Sequence, residues 1–195
     1  MSTWNIDTAH SAVEFSATHM MVSRVRGQFS GVGGTITFDG TDPLAASVEA
    51  TIPAATVHTG MEPRDNHLRG ADFLAVERFP ALRFQSTGIE PAGARRFRIL
   101  GELTIRDVSR PVVIEATLDG IFRALPMGDG PAPRKIAVSG STKISRKEWG
   151  LNWNVGLEAG GWLVSDEIKV TIDVQAAESS AVKAEVVRVL AANAA

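Results

Sequence analysis

The chain has 195 residues, of which 44% are apolar and 22% charged, with a net charge of −2 and no cysteine. That is enough chain for one domain with a sizeable core. It excludes disulfides, thiolate metal sites and a cysteine nucleophile, and its scattered basic residues, without interleaved aromatics, argue against nucleic acid as a partner.

The amino-terminal run MSTWNIDTAHS has neither a basic stretch nor an apolar one, so no signal peptide is read there. No segment approaches the ~20 apolar residues of a membrane span. The expectation is a soluble, cytoplasmic protein with no stable membrane insertion.

Trp4 and Ile6 alternate with polar neighbours, a short first strand. Val13, Phe15 and Ala17 alternate with Glu14, Ser16 and Thr18, a half-buried strand. Val25, Gly27 and Phe29 share one face of the next, and Ile36 and Phe38 continue the pattern to the turn signal Asp39-Gly40. Val48, Ala50 and Ile52 alternate up to Pro53.

The stretch from Thr59 to Pro80 then interrupts with helical spacing. Thr59 with Glu62 fits a capping box, and Pro63 fits a start one turn later. Gly70 is a natural stop through the left-handed conformation. A helix of about two turns over 61–69 follows. Arg64, His67 and Leu68 share one face, Asp65 and Arg69 form an i, i+4 pair, and residues 71–76 are a candidate further turn.

Strand spacing resumes at Leu82 and Phe84, and Pro91-Ala92-Gly93 is a turn. Phe97, Ile99, Gly101, Leu103 and Ile105 form a long strand, and residues 107–111 a tight connection. Val112 to Leu118 alternate and end at Asp119-Gly120. The flexible loop LPMGDGPAP spans 125–133, and Ile136 to Ile144 alternate after it. Trp149 to Gly161 is irregular, and Ile168 to Val174 is the cleanest strand. A barrel domain over 1–178 and a tail over 179–195, with a candidate short helix, complete the division.

About nine or ten alternating strands with short turns argue an all-β fold, an antiparallel sheet closing on itself. Small residues share the inward stripes with large ones: Ala17 with Phe15, Gly27 with Phe29, Gly101 with Ile99. They either leave room in a lumen or permit bends.

Several stretches form an ordered set of short motifs. They are Asp7-Thr8-Ala9-His10-Ser11, Val25-Arg26-Gly27-Gln28-Phe29 and His58-Thr59-Gly60. The most specific is Arg64-Asp65-Asn66-His67-Leu68 with Asp72-Phe73 and Phe79-Pro80. Downstream stand Gly101-Glu102-Leu103-Thr104-Ile105, Ile144-Ser145-Arg146, Trp149-Gly150-Leu151 and Trp153-Asn154. As an ordered set these stretches resemble the YceI-like family of polyisoprenoid-binding proteins; the resemblance runs from about residue 4 to 175, leaving the 125–133 loop and the tail outside it. It implies an extended lipocalin-like barrel, with a short helical insertion around 60–77, holding a long-chain isoprenoid lipid such as a polyprenyl diphosphate or isoprenoid quinone.

For such a guest, His19, Arg64, Asp65 and His67 are the candidate head-group residues. Arg donates in a planar fork that suits phosphate. Asp65, an acceptor when ionised, would orient Arg69 or a neighbouring donor. The competing reading is a structural network that anchors the helix to the barrel. Phe15, Phe29, Phe38, Phe73, Phe84, Trp149 and Trp153 are candidate tunnel lining or ordinary core. Arg146 reads as a strand-end salt bridge. The four histidines lack metal-site spacing, so no metal, cofactor or catalytic residue is assigned. Two rival functions remain: an enzyme using His19 or His67 as general acid or base, and a packed barrel serving as a protein-interaction module. An apolar barrel mouth is also a candidate homodimer face.

Overall fold

The computed structural model describes residues 2–123, 132–158 and 160–179. The chain forms the expected antiparallel β-barrel, with a helical insertion after the fifth strand. Its strands are β1 (Ser2–Ile6), β2 (Ala12–His19), β3 (Ser23–Phe29), β4 (Gly33–Phe38), β5 (Ser47–Pro53), β6 (Ala81–Pro91), β7 (Arg96–Ile105), β8 (Val108–Arg123), β9 (Arg134–Ser145) and β10 (Val164–Glu178). The helix α1 (Glu62–Arg69) lies between β5 and β6.

Eight strands close the barrel in the order β1-β4-β5-β6-β7-β8-β9-β10, with β10 returning to β1. Closure depends on the length of β10. Its C-terminal part pairs with β1, as in Ile6 with Ala176, while its N-terminal part pairs with β2, as in Val170 with Phe15. The β2–β3 hairpin therefore extends the wall at one end, where β3 meets the segment before α1 through the Gln28–His58 bridge. The β5–β6 insertion lies at this same end, so α1 stands over it; we term it the helical end.

Alternation sorts the residues as the strand period requires. Trp4, Ile36, Phe38, Ile52, Leu82 and Ile105 are buried in one core cluster. Some inward glycines are floors for rings. A Cβ at Gly27 would lie 2.5 Å from the Phe15 ring, and one at Gly101 would collide with Phe84. In both cases the ring fills the space that the missing side chain leaves.

The helix differs from expectation at both ends. Met61 is its N-cap and no side chain caps it, so the Thr59–Glu62 capping box does not form. Pro63 falls in the first turn, where its missing N–H costs nothing. Gly70 ends the helix with φ −70°, not left-handed, and its N–H bonds the carbonyls of Asn66 and His67. Residues 71–78 form successive turns rather than more helix. Asp65 does not pair with Arg69, whose guanidinium donates to Ala55 O, Val57 O and Asn66 Oδ1.

Several connections also depart from the expected pattern. The β7–β8 link is only Arg106-Asp107, both at positive φ, and Pro111 lies inside β8. Asp119-Gly120 marks a register shift within β8, which runs on to Arg123. Residues 146–149 form a 3-10 turn, and Gly156 with Trp162 forms an isolated bridge. The β2–β3 turn puts Met20 (φ 48°) and Met21 (φ 60°) in the left-handed region, which costs an L-residue roughly 1–2 kcal/mol. The loop expected over 125–133, apart from its last two residues, and the C-terminal helix lie outside the described residues.

Candidate functional site

The barrel encloses a cavity of about 620 Å³ running most of its length, from Ile89 and Phe97 to Leu68 and Trp153. That volume is within the range of small-molecule sites. Its wall is almost wholly aliphatic and aromatic. Among the described residues, six polar side chains line it: Thr18, His19, Arg64, His67, Thr142 and Arg146. All stand toward the helical end, near the end of β2, on α1, or at the end of β9. No described carboxylate lines the cavity. Met61 and Pro63 are the exposed residues of the lining, so the cavity opens beside the start of α1.

Asp65 is 3% exposed and turns away from the cavity. Its Oδ1 accepts from the Thr59 backbone N–H at 2.8 Å and from the Thr59 hydroxyl. His58 Nδ1 stands 3.0 Å from Oδ2, and since a carboxylate only accepts, Nδ1 carries that proton. Burial pushes Asp65 up, but the Thr59 and His58 bonds together outweigh it and hold the carboxyl below its ordinary value. The expected partnership with Arg69 is thus replaced by an anchor between α1 and the 58–59 segment.

Arg64 completes the anchor from the lumen side. Its Nε donates to Thr59 Oγ1 at 2.7 Å and its Nη2 to Thr59 O at 3.0 Å. One hydroxyl thus links the guanidinium to the buried carboxylate. Nη1 makes no bond to a described residue, and no described carboxylate forms an ion pair with Arg64.

His67 stands on the same face one turn later. Its Nε2–H donates to Asp72 Oδ2 at 2.9 Å, and its ring meets Trp153 edge-on at 4.6 Å and Phe73 at 5.1 Å. These aromatic contacts join α1 to the loop after β9. His19, at the end of β2, lines the cavity half-buried.

Arg146 is the polar group that reading the sequence undervalued. It is 3% exposed and lines the cavity. Its ion pair with Asp166 at 3.4 Å is only part of its role. Nε donates to Ser165 O, and Nη1 to Leu151 O and Trp153 O. The guanidinium therefore shapes the loop that carries Trp153. Burial pulls it below its ordinary value, against the Asp166 charge.

Phe15, Phe29, Phe38, Phe73, Phe84 and Trp153 all line the cavity. Trp149 does not. It is buried in the wall, with its indole N–H donating to Leu103 O at 3.0 Å. It is the last residue of the 3-10 turn over 146–149, which packs it into the wall rather than the lumen.

A sequence model of the YceI-like domain matches residues 4–176. The chain belongs to the YceI-like family. It is 31% identical over 169 residues to a UPF0312 protein of Staphylococcus aureus (strain USA300), covering 87% of this chain and 94% of that protein. Among solved structures it is similar to the Campylobacter jejuni YceI protein, with TM-score 0.70 and 29% identity over 84% of this chain and 90% of the other. A polyisoprenoid-binding domain from Saccharophagus degradans shares the fold, with TM-score 0.65 and 13% identity over 92% of this chain and 100% of that one. Arg64 to Leu68, the most specific stretch of the resemblance, forms the part of α1 that faces both anchor and cavity.

Proposed function

We propose that this protein binds a long-chain isoprenoid lipid, a polyprenyl diphosphate or an isoprenoid quinone, and sequesters or carries it. The tail occupies the lumen, and the head group lies among His19, Arg64 and His67 at the helical end. The observation that carries this reading is the polarity of the cavity: an apolar tube whose polar lining, among the described residues, is gathered at one end and contains no carboxylate.

The energetics suit such a guest. At about 0.8 kcal/mol per buried carbon, one isoprene unit contributes roughly 4 kcal/mol at most. Ordering and association costs remove much of that, but several units still bind tightly without directed contacts. Among the described lining residues, Arg64 supplies a charged donor with unused capacity. Asp65 acts behind it, fixing Thr59 and hence the guanidinium. Arg146 gives its donors to backbone carbonyls, so its part is to shape the site. No covalent chemistry is required of any of these groups. The packed-barrel reading loses support from the open lumen, and no observation favours catalysis by His19 or His67.

Native mass spectrometry of the purified protein, followed by organic extraction, tests the proposal. A stoichiometric isoprenoid adduct is expected, or uptake of added polyprenyl lipid by protein that carries none. Failure of both, in folded protein, overturns it. Replacing Arg64 with Met should weaken a prenyl diphosphate more than the corresponding alcohol; equal loss would remove Arg64 from the head-group site.

A further inference from the structure

Six large apolar side chains are exposed around the helical end: Met20, Met21 and Val22 on the β2–β3 turn, Val155 and Trp162 on the loop before β10, and Met61 before α1. Val22 is 87% exposed, Met21 69% and Trp162 59%. They are not scattered. The Met20 N–H donates to Leu163 O, the Leu163 N–H donates to Val155 O, and the Met21 sulfur rests on Gly161, where a side chain would collide with it. The turn and the loop are therefore one unit. Met61 belongs to the rim of the opening itself.

The β2–β3 turn is the informative part. The connection is three residues, Met20 to Val22, closed by the His19–Ser23 pair, and the Val22 N–H donates to His19 O. A turn with both central residues left-handed favours Asn, Asp and Gly, because those residues adopt that conformation cheaply. Here two methionines occupy the two positions, followed by a nearly naked valine. A strained backbone that presents apolar side chains to water points to a surface whose partner is absent.

We infer that this rim is a membrane-docking surface, inserting shallowly into the interface of a phospholipid bilayer with the cavity opening facing the lipid. The inference rests on the lipid-binding reading of the lumen for its purpose, since the opening and the apolar rim share Met61. The shape favours a bilayer over a second copy of the chain. A protruding turn tip is a wedge, whereas a two-fold dimer needs a self-complementary face. The side chains fit as well. Flexible methionines adapt to irregular apolar surroundings, and an indole with an apolar body and one N–H is suited to the headgroup boundary. Arg24 and Arg26 flank the turn on exposed positions of β3, while Glu62 and Glu158 stand on the other two segments. Charge therefore nearly cancels, and apolar insertion is the attachment.

The test is flotation of the full chain with vesicles of phosphatidylcholine and phosphatidylglycerol that contain no isoprenoid. Beside it runs a titration with farnesyl diphosphate in vesicle-free buffer, which reads the lumen alone. Wild-type protein is expected to float, and to do so largely independently of salt. The double variant M21D/V22D should lose vesicle binding at least about tenfold, with farnesyl diphosphate binding unchanged. Neither residue lines the cavity, and aspartate tolerates the left-handed turn position. Trp162→Ser supplies an independent variant on the other segment, with the same expected direction. Wild-type protein that stays out of the vesicle fraction overturns the inference. So does flotation that both variants leave unchanged. A dimer in solution that M21D/V22D dissociates, without vesicle binding by the wild type, assigns the rim to a second copy instead. If vesicles bind but farnesyl diphosphate does not, the docking surface stands and the lumen reading falls.

Discussion

Thr59 gives Asp65 both of its protons: the backbone N–H at 2.8 Å and the side-chain hydroxyl reach the same carboxylate oxygen. The same hydroxyl accepts from Arg64. The only α-helix among the described residues is thus tied to the 58–59 segment through a buried carboxylate.

Removing that carboxylate should be costly. Asp65→Ala leaves a buried N–H, a hydroxyl and the Arg64 guanidinium without their organiser. The expected loss is about 2–4 kcal/mol, read from urea unfolding. A loss under about 1 kcal/mol would mean that the helix is held mainly by Arg69 and its carbonyl bonds.

Acid should loosen the same junction. Asp65 titrates below its ordinary value of 3.8, and Asp7, hydrogen-bonded by Lys135 against the effect of burial and helped by His10, sits at about 2. A depressed folded pKa means that the unfolded chain takes up the proton first. The stabilisation is therefore complete above about pH 4 and declines as pH falls through the folded values. Urea midpoints measured across this window should fall, and Asp65→Asn should flatten part of the decline. An unchanged slope in that variant would assign the acid sensitivity elsewhere.

The glycine floors should resist enlargement. Gly27→Ala forces the Phe15 ring and the Thr59 methyl to move, and Gly101→Ala meets both Phe84 and the Gln85 carbonyl. Each should destabilise by roughly 1–3 kcal/mol. The Gly27 change should be partly rescued by Phe15→Leu, whereas Phe84→Leu should rescue Gly101→Ala less, because the obstructing carbonyl is backbone. Equal rescue at both sites would contradict this packing.

Lumen length should set guest length. Ala50 lines the cavity on β5, so Ala50→Phe should shorten the longest prenyl chain accepted and leave shorter ones bound as before. Competition among prenyl chains of graded length reads this directly. Uniform weakening of all chains would indicate a damaged barrel rather than a shortened one.

The β2–β3 turn should become more stable when its residues are made ordinary. Met20→Asn with Met21→Gly relieves two left-handed side chains and should stabilise the protein by about 1 kcal/mol or more. A thermal melt measures it. Destabilisation instead would show that the Met21 contact with Gly161 outweighs the strain.

Much of this architecture was legible because a half-buried strand writes its orientation in alternate residues, as in Ile168, Val170, Ile172 and Val174. The helical insertion was legible through Pro63 and Gly70, though its details were not. Thr59 matched a local capping pattern, but Asp65 offered its side chain a buried carboxylate that local spacing does not show. Arg69 found carbonyls of the preceding segment instead of the carboxylate one turn away. Left-handed methionines and the Arg106-Asp107 turn violate the composition by which turns are recognised. Arg146 was undervalued because its partners, Leu151 O, Trp153 O and Ser165 O, are backbone atoms, which have no letter in a sequence. Trp149 and Trp153 lie four residues apart, yet only the second faces the lumen, since Trp149 ends a 3-10 turn in which the strand period does not hold.

The pairing of β10 with both β1 and β2 has a consequence for biosynthesis. Trp4 finds its partner Glu178, and Val13 finds Ile172, only after nearly the whole barrel has been translated. Until then the free edges of β1, β2 and β9 remain templates for intermolecular pairing. A chain released before Val164 cannot close its ring, and its fate is set by chaperones and proteases rather than by the strength of its core.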